Sequence, residues 1–209
     1  MEDLIIIGAG GRGREVLECI KEINRVKPVW NVLGFLSDYP DVLDEYQCDA
    51  SIIGEIHNWT PTKKEKYVLA IDDPHAREKL ARIFLEKGAE FTTLISPRAT
   101  IQSHVTVGYG SIILGNSIIL NNTHIGKFAL IAGSTIGDSA ILGDFCNTNG
   151  FTNVTNAVLG NRVVIGSHAV ILNKRKIGDD ALIYAGSIVF TNVKAGTKMM
   201  GNPAKKVDF

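Results

Sequence analysis

From Ile95 onward an aliphatic residue returns every six positions, at Ile101, Val107, Ile113, Ile119, Ile125 and Ile131. The count then slips by one residue to Ile136 and Leu142, is broken at Thr148 and resumes at Val154. A second slip starts another run: Leu159, Ile165, Ile171, Ile177, Ile183 and Val189. Such a period matches neither the roughly 3.6-residue period of an amphipathic helix nor the alternation of a half-buried strand. It suits a coil of three short strands and three corners, about 18 residues per turn. Each strand sends one aliphatic side chain into a triangular interior, and successive coils stack these into ladders. Glycine often follows the anchor, as at Val107-Gly108, Ile125-Gly126, Leu142-Gly143 and Leu159-Gly160. With Asn and Asp, it is expected to supply the backbone angles of the corners. The region from about Ile95 to Val189 therefore predicts an all-β domain, a left-handed parallel β-helix.

The first 94 residues follow a different pattern. Leu4-Ile5-Ile6-Ile7 is a continuous apolar run, as in a strand buried on both faces, and it leads into Gly8-Ala9-Gly10-Gly11-Arg12-Gly13. Val16, Leu17, Ile20 and Ile23 then share one helical face. Strand, glycine turn and helix in that order leave an open helix N-terminus whose N–H groups face an anion. A second strand, Val32 to Leu36, ends at Ser37-Asp38; a third, Tyr67 to Ile71, ends at Asp72-Asp73. Asp73-Pro74 caps a helix through Leu85 that stops at Gly88. Alternating strands and helices predict a small α/β, Rossmann-like domain with ligand groups at the carboxyl edge of a parallel sheet. Asp38 stands too late for the acidic residue of a dinucleotide site, and the domain is half a dinucleotide fold in size. A mononucleotide or nucleotide-sugar pocket fits better, the alternative being a tight turn that serves packing alone. The expected domains are 1–94 and 95–209, the latter with a C-terminal tail.

Composition narrows the function classes. Lys plus Arg and Asp plus Glu both number 22 in 209 residues, so no bulk charge favours nucleic acid or an anionic membrane. No apolar run approaches the roughly 20 residues of a bilayer span and no basic leader precedes the first strand, which points to a cytoplasmic protein. The 3 cysteines, Cys19, Cys48 and Cys146, lack metal-ligand spacing and read as packing residues in a reducing compartment; no metal is expected.

A glycine-loop α/β domain, a linking Leu94-Ile95-Ser96-Pro97, a six-residue repeat and a terminal Gly201-Asn202-Pro203-Ala204-Lys205 together resemble the hexapeptide-repeat sugar acetyltransferases. Within these, the chain resembles the sialic acid O-acetyltransferase and UDP-4-amino-sugar N-acetyltransferase group, and the likeness extends over essentially the whole chain. It implies a homotrimer, a sugar nucleotide on the first domain, and acetyl-CoA along the groove between neighbouring β-helices as the acyl donor. By matching positions, Gly10, Gly11, Arg12, Asp38 and Asp72 border the sugar-nucleotide pocket, and Thr155, Ser167 and Gly186 border the pantetheine arm. Arg12 stands where relatives often carry a histidine.

The resemblance also implies direct acyl transfer, with a histidine taking the proton of the attacking amine or hydroxyl and an acidic residue orienting the imidazole. That histidine lies in a segment of the type NTGxxIGHDxxIGD, matched without a gap by Ile131 to Asp144. Asp138 falls on the histidine and Ser139 on its acidic partner; a second family histidine falls on Asn147. Three readings follow. Asp138 is the base; or another histidine has taken over, His168 in the coil expected near the CoA groove, with His124 and His104 at coil surfaces; or the scaffold keeps its pockets as a non-catalytic sugar-nucleotide-binding or regulatory protein. His57 and His75 are conceivable nucleotide contacts, and Lys174-Arg175-Lys176 a conceivable partner for CoA phosphates, although residues of these kinds are more often simply solvated.

Overall fold

A computed structural model describes residues 1–208, which form two compact units, 1–97 and a second that begins at Arg98. The division falls three residues beyond the expected boundary, after Pro97 rather than Leu94.

In the first unit, strand β1 (Glu2–Ile7) leads into helix α1 (Gly11–Val26), followed by β2 (Trp30–Leu36), β3 (Ile52–Gly54), β4 (Glu65–Leu69), helix α2 (Pro74–Glu86) and β5 (Glu90–Phe91). The five strands are parallel in the order β3-β2-β1-β4-β5. Leu4 to Ile7 are 0% exposed in the middle of the sheet, which is why their run does not alternate. The strand expected from Tyr67 to Ile71 is β4, which ends at Leu69, two residues early. Ala70 still donates its N–H to Ile7 O, at 2.9 Å, and the chain then turns into α2. That helix starts as expected: Asp73 Oδ1 accepts from Ala76 N at 2.7 Å, with Pro74 in the first turn. The short β3 and β5 were not legible in the apolar pattern.

The second unit is a left-handed parallel β-helix. One face stacks Ile101, Ile119, Ile136, Val154, Ile171 and Val189. Another stacks Val107, Ile125, Leu142, Leu159 and Ile177. The third includes Ile113, Ile131, Thr148, Ile165 and Ile183. Both slips in the six-residue count are shortened corners. The turn from Ile131 to Ile136 passes through Gly133 at φ +57°, and that from Val154 to Leu159 through Asn156 at φ +42°. Strand pairing stays in register across both.

Two sequence expectations are corrected. Thr148 does not interrupt the ladder: it occupies an interior position between Ile131 and Ile165 and is 0% exposed. Nor do the glycines after the anchors serve the corner angles. Left-handed corner residues are instead of many types, among them His104, Phe128, Ser139, Phe145, Phe151, Arg162 and His168. Glycine is needed where successive coils touch: a Cβ on Gly126 would lie 2.5 Å from Gly143 C, and one on Gly143 2.5 Å from Gly160 O. The C-terminal tail forms an antiparallel hairpin of Lys198–Gly201 with Ala204–Lys206, whose first strand pairs with Leu182 and Ile183.

Other inward hydroxyls donate to a carbonyl of the next coil, as Thr123 Oγ1 does to Gly137 O at 3.0 Å and Thr152 Oγ1 to Gly166 O at 3.1 Å. Thr148 Oγ1 is buried without a hydrogen bond, a state that costs more than an apolar atom in the same place. Thr148→Val, close in shape, is therefore expected to raise stability by about 1 kcal/mol, read as a higher midpoint in thermal unfolding. A lower midpoint contradicts it.

Candidate functional site

At the carboxyl edge of the five-stranded sheet, the chain leaves β1 for β2 on one side, while β4 lies on the other. Strand order reverses there and opens a crevice. The glycine turn after β1 (Gly8 to Gly11, with Arg12), the segment after β2 (Ser37 to Tyr39) and the segment after β4 (Ala70 to Asp72) line a cavity of about 290 Å³. All five residues matched to a sugar nucleotide, Gly10, Gly11, Arg12, Asp38 and Asp72, border it.

Local geometry explains how the glycine turn can form. Gly8 has φ +105°, and Gly13, in the first turn of α1, lies so close to the strand end that a Cβ there would be 2.1 Å from Gly8 O. Helix α1 begins at an N-cap, Gly10, with no side-chain cap and no acidic residue in its first turn. Its first N–H groups therefore face the crevice with no side-chain cap of their own, an arrangement suited to phosphate oxygens. Arg12 is held over the opening by Asp72, whose Oδ1 accepts from Nε at 2.8 Å, and by an ion pair with Glu15. Asp38 is oriented by His57: its Oδ1 accepts from the main-chain N at 3.2 Å and its Oδ2 pairs with Nδ1. His57 is thus a rim residue supporting Asp38.

Sequence reasoning missed Arg77. Its side chain on α2 is only 1% exposed, and Nη1 donates to Ile71 O at 2.5 Å and Asp72 O at 3.2 Å. An arginine in the first turn of a helix that follows a crevice-lining loop is the signal that was available.

In the β-helix, Asp138 and Ser139 lie on the edge that also carries Asn122 and Asn156 as its left-handed residues. Asp138 is exposed; its Oδ1 accepts from Asn122 Nδ2 at 3.3 Å and its Oδ2 from Ser139 Oγ at 2.8 Å. Thr155 lies one coil further on the same edge, its Cα only 2.9 Å from where a Cβ on Gly137 would be. Ser167, His168 and Gly186 belong to a different edge, where exposed His168 stacks on Phe151 with centroids 4.9 Å apart. His168 also lies roughly 8 Å further along the axis than Asp138, at the ~4.8 Å per coil set by strand spacing. Within one chain, Asp138 and His168 are therefore not brought together, and the three pantetheine candidates are split between two edges. Asn147 is buried on a face, away from Asp138. His124 is engaged with Thr106 Oγ1 through Nδ1, at 2.7 Å. Among the described residues there is no cluster of three or more His, Cys, Asp or Glu able to hold a metal, and no helix long and apolar enough to cross a membrane.

Comparison with known proteins gives matches to both units. Residues 3–84 match the PglD N-terminal domain, and residues 87–177 the GMPPB C-terminal domain. GDP-perosamine N-acetyltransferase of Escherichia coli O157:H7 is 29% identical over 218 aligned residues, which cover 97% of this chain and 95% of that protein. The bifunctional protein GlmU of Streptococcus uberis is 31% identical over 122 residues, and the chain spans 27% of its length. Among solved structures, the acetyltransferase domain of PglB from Neisseria gonorrhoeae FA1090 has a TM-score of 0.88 at 20% identity, with 99% of this chain and 100% of that one covered. PerB from Caulobacter crescentus, in complex with CoA and GDP-perosamine, has a TM-score of 0.79 at 22% identity, covering 100% and 98%.

Proposed function

We propose, from its resemblance to the hexapeptide-repeat sugar acetyltransferases, that the chain transfers an acetyl group from acetyl-CoA to the amino group of a nucleotide-linked sugar. The observation that carries this reading is the crevice: five residues from three separate loops converge on one cavity at the strand-order reversal. Its floor is an open helix N-terminus with an arginine beside it, which suits a diphosphate. The protein from E. coli O157:H7 that is similar over nearly the whole chain is a GDP-perosamine N-acetyltransferase, which favours an amine over a hydroxyl as the acceptor.

The chemistry requires little from the β-helix edge. The amine lone pair attacks the thioester carbonyl, the C–N bond forms and the nitrogen becomes positively charged. The tetrahedral adduct then collapses, the C–S bond breaks and CoA leaves as the thiolate. The nitrogen proton is acidic once the new bond forms, so a carboxylate can take it late. Asp138 takes that proton; Ser139 and Asn122 hold its two oxygens in place. Thr155, on the same edge, borders the acyl donor, while Ser167 and Gly186 reach it only from a neighbouring subunit. That arrangement calls for a homotrimer. Ile118, Ile141 and Val158, 40%, 43% and 41% exposed on outward faces of the prism, supply apolar contact surface for it. Light scattering at three times the chain mass supports the assembly, and a monomer contradicts it. Both co-substrates are cytoplasmic metabolites, so the cytoplasm is the proposed location.

A thiol-release assay with acetyl-CoA and a panel of UDP-, GDP- and dTDP-linked amino sugars tests the function. Release that requires the amino group supports it. One observation favours a second reading, a non-catalytic sugar-nucleotide-binding protein: Asp138, Ser139 and Asn147 all replace residues the family uses for transfer. Sugar-nucleotide binding without release from any member of the panel selects that reading.

A further inference from the structure

Arg77 heads the largest fully buried side chains of the molecule, yet it carries a charge. Charged residues are almost never buried this completely without specific partners, so its placement needs a reason. Those partners include the carbonyls of Ile71 and Asp72, both in the loop that walls the crevice on the β4 side. Seen from the other side, the same short segment presents the Asp72 carboxylate to Arg12 Nε. Main chain held from below and side chain engaged from above thus make a relay: α2 fixes the loop, the loop fixes Asp72, and Asp72 fixes Arg12. Both bonds come from Nη1 at the end of the long arginine stem; a methionine of similar length has no donor to replace them.

From this arrangement we infer that Arg77 is a positioning residue for nucleoside-diphosphate recognition. It acts through Asp72 to aim the Arg12 guanidinium across the crevice, and it touches no substrate atom. The inference rests on the sugar-nucleotide reading of the crevice and extends it by naming the diphosphate as the part of the ligand that Arg77 controls. Three consequences separate this role from general support of the fold. Loss of Arg77 weakens diphosphate binding but not nucleoside binding, because only the diphosphate needs Arg12. It changes the KM for the nucleotide sugar while kcat and the KM for acetyl-CoA stay the same. Its effect also disappears once Arg12 is gone.

The test is a double-mutant cycle of Arg77→Met and Arg12→Ala, with Arg77→Lys as a milder variant that carries the same cycle if Arg77→Met does not fold. Calorimetry measures binding of GDP, UDP and dTDP, and NMR titration measures the corresponding nucleosides. Expected is a loss of about tenfold in diphosphate affinity for Arg77→Met, an intermediate loss for Arg77→Lys, unchanged nucleoside affinity, and a double variant no weaker than Arg12→Ala alone. Equal losses for nucleoside and diphosphate, additive losses in the cycle, or unchanged diphosphate binding would each overturn the role of Arg77 and leave the crevice reading intact. A wild-type protein that binds none of the three diphosphates overturns both.

Discussion

Asp138→Asn is expected to lower kcat for acetyl transfer by about 10²–10³, the usual worth of a positioned proton acceptor, with the KM for either substrate nearly unchanged. The amide keeps the size of the carboxylate and can still interact with Asn122 and Ser139, so the edge keeps its shape while the proton acceptor is gone. Steady-state thiol release resolves the two parameters. Asp138→His is the informative companion: it restores the family's imidazole in the same left-handed corner, and a higher rate than wild type shows that the site geometry is intact and only the base is poor. His168→Ala should leave transfer within about twofold, since the exposed imidazole is stacked on Phe151. Loss of transfer with His168→Ala and not with Asp138→Asn would move the proton acceptor to the edge that carries Phe151.

Gly13→Ala should abolish sugar-nucleotide binding. A methyl group there would sit 2.1 Å from Gly8 O and 2.9 Å from Gly8 C, and both atoms belong to backbone that cannot yield as a flexible side chain would. Either α1 slides away from β1 or the glycine turn opens, and both movements remove the floor of the crevice. The cost is on the order of 3 kcal/mol, confined to the first unit. Thermal unfolding should show a low-temperature transition absent from the wild type, and calorimetry with GDP and UDP should show no binding. A variant that binds as tightly as wild type contradicts the close helix–strand approach.

The β-helix was legible because a single property, an aliphatic residue at each interior position, is written once per strand and survives shortened corners. What the pattern did not contain was spacing between coils. The glycines after the anchors look like corner residues in sequence, and only the stacked backbones at Gly126, Gly143 and Gly160 reveal that they allow close approach. Thr148 looks like a break because its hydroxyl was read as polar; in three dimensions its methyl and Cβ fill an interior position and the hydroxyl is simply left unbonded. In the first unit, the glycine turn, Asp38 and Asp72 could be anticipated because they sit at strand ends, where ligands gather. Arg77 could not be anticipated in the same way. Its bonds to the Ile71 and Asp72 carbonyls carry no side-chain signature, and its position within an ordinary helix resembles a solvated charge. The β-helix site was legible in part: the six-residue count puts Asp138 on an edge, but periodicity alone does not tell which of three edges His168, Ser167 and Gly186 share.

Acetyl transfer to an amino sugar despite the missing histidine can be followed by mass spectrometry. GDP-, UDP- and dTDP-linked 4-amino sugars are incubated with the protein and isotopically labelled acetyl-CoA. One of these sugars is expected to gain a labelled acetyl group on nitrogen, with an equal amount of free CoA released. No labelled product from a sugar nucleotide that the protein demonstrably binds would mean that the fold serves binding alone.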